Sequence, residues 1–194
     1  MSVKVIRLQS PFSEADVRKL RAGDMVAVHG TLFTGRDRLH QYLAHGGVCP
    51  VELRDGGIFH CGPIMRHAAD GAWQVVVAGP TTSTRQEPYM RQIITQLGPR
   101  VIIGKGGMGA ATRAACREYG CVYLQAVGGA AALIARRVTN VAAVYLLEEF
   151  GPTEALWQIE VAGIEAVVGI DSHGESLYEE VRRSSKAVAD RGVC

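Results

Sequence analysis

The chain has 194 residues, 47% of them hydrophobic and 21% charged, with a formal net charge of +2, and it is long enough to bury a core. So small a charge, with 6% aromatics and no basic stretch interleaved with them, argues against a nucleic-acid surface or an anionic membrane as partner. No apolar run reaches the ~18 residues of a membrane helix, and the N-terminus, charged at Lys4 and Arg7, lacks a signal-peptide pattern, so cytoplasm is the expected compartment.

Residues 3–8 alternate apolar and polar and predict a strand. Ser13, followed by Glu14 and Asp16 ahead of Val17 and Leu20, reads as the N-cap of a short helix. A strand at 25–28 runs into residues 29–40, a strand-to-helix junction with Thr34 or Asp37 as cap and Leu39, Tyr42 and Leu43 on the buried face. Arg36 sits at that helix start, where the dipole favours acids; a cation placed against local electrostatics is a candidate ligand group. Asp55-Gly56-Gly57, between 51–53 and Ile58-Phe59, predicts a β-hairpin. Asp70-Gly71 is a turn into residues 73–78, an apolar run that reads as a buried strand.

That strand ends in Gly79-Pro80, four hydroxyl residues (Thr81-Thr82-Ser83-Thr84) and Arg85. Behind them Tyr89, Ile93, Ile94 and Leu97 have helical spacing, with Pro88 in the first turn. Backbone N–H groups and the dipole at such a junction favour an anion. Arg85 can hold a carboxylate bidentately, and a threonine hydroxyl beside it, Thr81, can hydrogen-bond or shuttle a proton. The plainer reading makes Ser83 or Thr84 a helix N-cap.

Gly98-Pro99 breaks the chain before a buried strand at 101–103, the loop Gly104-Lys105-Gly106-Gly107-Met108-Gly109 and a helix over 110–119. There follow a strand at 122–124, a turn at Gly128-Gly129, an alanine-rich helix over 130–136, strands at 141–147, 156–161 and 166–170, a turn at 171–174 and a terminal helix over 175–188. The alternation argues for one α/β domain spanning 1–194, more β-rich toward its N-terminus.

Three junctions thus share one layout, an apolar strand, a glycine break, a polar or cationic group and a helix. Side by side at one end of a sheet, they would bring Arg36, Arg85 and Lys105, with Thr34, Thr81 and Thr82, around a small dianion. The glycine loop has neither GxGxxG nor GxxxxGK[ST] spacing, which argues against a nucleotide. Lys105 alone is equally a solvent-facing lysine in a turn, but glycines on both sides point to close backbone approach. Asp37 and His40 are candidates with plain alternatives, a helix-start acid and a packing residue. Asp171-Ser172-His173 has a triad's composition only, and a triad is made by geometry. The five cysteines (Cys49, Cys61, Cys116, Cys121 and Cys194) contain no CxxC pair and read as reduced thiols, so neither a zinc nor an iron–sulfur site is expected within the chain.

The segments at 34–40, 79–85 and 104–109, with Ala126-Val127-Gly128-Gly129-Ala130-Ala131 and Ile170-Asp171-Ser172-His173-Gly174, resemble motifs of the class I fumarase C-terminal domain, which is the β subunit in two-subunit enzymes, and of the similarly built L(+)-tartrate dehydratase β subunit. The resemblance spans nearly the whole chain. It implies a swivelling β/β/α domain and a hydro-lyase reaction, reversible hydration of fumarate or a close relative. It also implies an α subunit whose three cysteines hold a [4Fe–4S] cluster with one iron open as a Lewis acid, in a hetero-oligomer, with self-association of the isolated chain as the alternative. Carried over by motif, Arg36, Arg85, Lys105 and Thr82 bind the dicarboxylate and Thr81 serves proton abstraction, aided by a carboxylate from the α subunit. Two departures bear on substrate choice. Gln86 stands where the family usually has methionine, and Arg38-Leu39 where it has small residues, which places Arg38 within reach of the site. The rival expectation is a free-standing carboxylate-binding module, for which the cations alone would suffice.

Overall fold

Residues 4–189, described by a computed structural model, alternate strand and helix along the chain. The order is β1 (Val5–Gln9), α1 (Glu14–Val17), β2 (Met25–Gly35), α2 (Asp37–Ala44), β3 (Gly57–His60), β4 (Ile64–His67), β5 (Trp73–Val77), a 3₁₀ turn (Ser83–Gln86), α3 (Glu87–Leu97), β6 (Val101–Gly104), α4 (Ala110–Tyr119), β7 (Val122–Ala126), α5 (Ala131–Ala135), β8 (Val138–Tyr145), α6 (Leu147–Phe150), β9 (Leu156–Ile170) and α7 (Leu177–Ala189). The expected start at Val3 and Cys194 lie outside the described residues. Among the described residues no helix is long and apolar enough to cross a membrane.

Seven strands form one mixed sheet in the order β1-β2-β3-β6-β7-β9-β8. Strands β1, β2, β3, β6 and β7 run parallel to one another, and β9 runs antiparallel to β7 and β8. β9 also pairs antiparallel with β2, which closes β2, β3, β6, β7 and β9 into a ring with β1 and β8 outside it. β4 and β5 make a separate two-stranded hairpin.

Period-2 alternation divides the apolar residues between two cores. Phe59, Val101, Ile103, Val122 and Leu124 join Val26, Val28, Leu32, Trp157 and Ile159 on one face. Their neighbours Ile58, Ile102 and Tyr123 pack on the other, against Leu39 and Leu43 of α2, Met90, Ile93 and Ile94 of α3, and Ala115 and Cys116 of α4. β6 therefore carries a continuous apolar run because both its faces are covered. This sheet with flanking helices is the α/β class that the strand–helix alternation implied.

Several local expectations fail for physical reasons. Residues 51–59 form no hairpin, because Leu53 closes a turn by accepting from the Gly56 N–H and β3 pairs in parallel with β2 and β6 instead. The hairpin lies one segment later, around Asp70-Gly71, and its strand β5 alternates half-buried and exposed residues rather than being buried. β2 runs on to Gly35, and the residue at the N-cap of α2 is Arg36, with no side-chain cap, rather than Thr34 or Asp37. The two strands expected at 156–161 and 166–170 are one. Gly163, at φ +82°, is bulged out between Ala162 and Ile164 while β2 keeps pairing on either side.

Candidate active site

Because β2, β3 and β6 are parallel, their C-terminal ends share one edge of the sheet. Arg36 follows β2 there and Lys105 follows β6. The hydroxyl run enters between the ends of β3 and β6. The Thr81 N–H donates to the His60 carbonyl (2.7 Å), the Lys105 N–H donates to the Thr81 carbonyl (3.2 Å) and the Ser83 N–H donates to the Lys105 carbonyl (2.9 Å). Thr82 and Lys105 thus pair as a parallel bridge, and two of the three expected junctions are stitched together by backbone.

Side chains join the first junction to the second. Arg85 donates from Nη2 to the Thr81 hydroxyl oxygen at 2.5 Å and sets its Nε 3.2 Å from Asp37 Oδ1. Arg85 and Asp37 are nearly half exposed, at 47% and 43% of their side chains, and Thr81, Thr82 and Lys105 are half-buried, so the cluster opens to solvent. Arg36 makes an ion pair with Glu154 at 3.5 Å, but its buried Nε has no hydrogen-bond partner. It lies across Gly62, where an added Cβ would stand 2.3 Å from Arg36 Cδ and 2.6 Å from the Thr153 carbonyl. Sequence reasoning passed over that glycine.

His40 is 1% exposed and belongs beneath this surface rather than on it. Its Nδ1 donates to the Arg36 carbonyl at 2.6 Å, which holds the backbone under the first cation. Its ring meets that of fully buried His60 edge-on, with centroids 4.9 Å apart. Ser83 is buried too. Its hydroxyl accepts from Tyr123 (3.0 Å) and turns to His60 Nδ1 (2.9 Å). Neither Ser83 nor Thr84 caps α3, whose N-cap is Gln86 with no side-chain capping bond to the helix, so the plainer reading of the hydroxyl run fails. The Nε2 atoms of His40 and His60 both lack partners. Burial lowers His40 to about 4, and burial followed by the neighbouring His40 holds His60 well below the usual imidazole range. Both rings are neutral at pH 7.

Glu87, the first residue of α3, is the other group that sequence reasoning missed. Its carboxylate accepts from the N–H groups of Gly109 (2.7 Å), Ala111 (3.1 Å) and Thr112 (3.2 Å) and from the Thr112 hydroxyl (2.6 Å). It fills the N-terminus of α4 from 22 residues away, so the anion favoured by that helix end is the protein's own. The only sequence signal was an acid in a first turn. Thr34 is withdrawn from the site: its hydroxyl oxygen accepts the Trp157 N–H at 3.1 Å inside the sheet. Arg38 lies over the Phe150 ring, 5.1 Å from its centroid, instead of reaching the cluster. Asp171 accepts backbone N–H groups of Ala22, His173 and Glu175, a structural use.

Four of the chain's thiols lie among the described residues. Cys61, Cys116 and Cys121 are buried and free, and Cys49 is partly so. Burial pushes Cys61 up to about 12, and hydrogen bonding to Cys121 together with burial pushes Cys116 well above the ordinary thiol range, the reverse of what a thiolate ligand needs. Among the described residues no three His, Cys, Asp or Glu side chains converge to hold a metal ion.

The family described as fumarase C-terminus matches residues 1–181. A Geobacillus stearothermophilus protein named as a class I fumarate hydratase is 47% identical over 182 residues; the match covers 94% of this chain and 35% of that protein, so the chain spans about a third of this relative. Other relatives bear the name of L(+)-tartrate dehydratase subunit beta. One, from Methanocaldococcus jannaschii, is 40% identical, with 88% of this chain and 90% of that protein covered. Another, from Escherichia coli, is 36% identical, with 91% and 88% covered.

Proposed function

The chain belongs to the fumarase C-terminus family, and from that premise we propose that it is the β subunit of a cytoplasmic iron–sulfur hydro-lyase that reversibly hydrates fumarate to malate. The observation that carries the reading is the Thr81–Arg85 pair. Because the Thr81 oxygen accepts from a guanidinium, its own O–H is left for another partner, and the adjacent cation favours the oxygen when it loses that proton. A threonine hydroxyl is still a weak base and needs a carboxylate to receive the proton. Asp37 is committed to Arg85 and Gln86, so we assign that carboxylate to an α subunit. Arg85, Arg36 and Lys105 hold the two substrate carboxylates, with the Thr82 hydroxyl beside them.

The [4Fe–4S] cluster likewise belongs, in this reading, to the α subunit. That other relatives are named as β subunits while the Geobacillus protein is about three times the matched length supports a partner that is separate in some members and fused in others. Buried free thiols suit a reducing cytoplasm. L(+)-tartrate is the second substrate to test, on the strength of the relatives that carry its name.

The test is reconstitution. Mixed anaerobically with an α partner and iron and sulfide, the chain is expected to hydrate fumarate, while the chain alone should be inert. Iron-free turnover by the isolated chain would end the reading, as would a reconstituted complex that turned over neither fumarate nor tartrate.

A further inference from the structure

Asp37 is the first residue of α2, directly after Arg36. Its Oδ1 alone serves two consecutive residues of the other loop, Arg85 through Nε at 3.2 Å and Gln86 through Nε2 at 2.5 Å. The two partners differ in setting. Arg85 is nearly half exposed, whereas Gln86 is fully buried and its Oε1 has no partner at all. A carboxylate only accepts, so the amide must present its N–H₂ to Asp37. Gln86 therefore gives its single side-chain hydrogen bond to Asp37 and leaves a buried oxygen unsatisfied in doing so. An apolar side chain of similar length would fill the same space without that orphan, so the amide is there for the bond.

Held in this way, Asp37 fixes the guanidinium by an ion pair. Arg85 has five N–H groups; one on Nη2 goes to Thr81 and the Nε edge faces Asp37 as an ion pair, which leaves both on Nη1 and one on Nη2 for a carboxylate. We propose that Asp37 is a positioning residue, anchored from below by Gln86, that sets the Thr81–Arg85 geometry before a dicarboxylate arrives. The inference rests on the reading of Thr81 and Arg85 as reacting groups. It also explains why an acid stands beside a site for a dianion: Asp37 opposes substrate charge, so its contribution must lie in orientation rather than affinity.

That opposition gives the test a sign. In the reconstituted enzyme, Asp37→Asn removes a negative charge near the substrate and slackens Arg85. We expect kcat for fumarate to fall about 10-fold, as for a reacting group held slightly out of place, with KM unchanged or lower. Gln86→Met should lower kcat in the same direction with KM held, since it removes only the anchor. A raised KM at constant kcat in Asp37→Asn, or wild-type kinetics in both variants, would overturn the assignment. A second measurement needs no turnover. In ¹⁵N–¹H spectra of the full chain alone, the Arg85 Nε–H, identified by its loss in Arg85→Lys, should exchange slowly with solvent and become fast-exchanging in Asp37→Asn. An unchanged Arg85 signal refutes the positioning role even if no substrate is turned over, whereas loss of protection in an inactive complex would sink only the proposed reaction.

Discussion

The buried pair His40 and His60 makes the fold acid-labile over a defined interval. Burial depresses both rings, His40 from the ordinary 6.5 to about 4 and His60 in the same direction. A histidine freed by unfolding protonates near 6.5. Above that pH both states are neutral at these positions and the full stability is present. As pH falls below it, the unfolded chain takes up protons that the folded rings refuse, and stability is lost at up to about 1.4 kcal/mol per pH unit for each histidine until the folded value is reached. From about pH 6.5 to about pH 5 that is roughly 2 kcal/mol for His40, and His60 adds to the loss in the same direction, a large share of the 5–15 kcal/mol typical of a domain. Urea unfolding at a series of pH values reads the loss directly as a falling midpoint at constant m. The double variant His40→Gln, His60→Gln sets the baseline, because it keeps side-chain polarity but does not titrate. Its stability should be lower at neutral pH and nearly flat across the interval. A wild-type profile that is itself flat, or one that falls as steeply in the double variant, would refute the reasoning.

Three further outcomes are expected. Thr81→Ala in the reconstituted enzyme should cut kcat with a modest change in KM, since it removes a group needed mainly in the transition state; full kcat would remove Thr81 from the chemistry. Arg85→Lys should raise KM about 30- to 150-fold, the equivalent of about 2–3 kcal/mol for a lost charged, two-pronged contact, and an unchanged KM would take the substrate carboxylate away from Arg85. Glu87→Ala should lower stability by about 2 kcal/mol in urea unfolding, since it orphans the N–H groups at the start of α4; no loss would mean that water replaces the carboxylate.

How much of this could be read in the sequence varied with the range of the interaction. Helices α3 and α4 were legible because their apolar spacing and glycine stops are local, and so was the cap of α1, where Ser13 accepts the Asp16 N–H. The strand ends carrying Arg36 and Lys105 and the loop carrying Arg85 were legible as junctions. Their meeting was not, since it depends on Thr81 bonding to His60 and Lys105 across 21 and 24 residues. The supports were the least visible. Glu87 looks like any helix-start acid, and nothing local says that its partners lie on the next helix. Gln86 stood out only as a departure from a pattern; its bond to Asp37 spans 49 residues. The failed hairpin at 51–59 shows the converse. Turn residues mark where a chain can reverse, but only the pairing of β3 with β2 and β6 decides whether it does.

Strand β9 governs the order in which the molecule can come into being. It is the last strand of the described residues and pairs with β2, more than 120 residues earlier, Val167 against Met25 and Gln158 against Phe33. On the ribosome, β1, β2, β3, β6 and β7 emerge with no means of closing the ring, and β8 waits without its partner. Until residues 156–170 are released, β7 and much of β2 present open edges, and the core lacks Trp157 and Ile159, an arrangement that invites pairing with other chains. Closure this late and this non-local makes for slow folding, so the yield of native protein should depend on translation speed and on chaperones that shield those edges. Loss of β9 would leave an open sheet rather than a shorter version of the same domain.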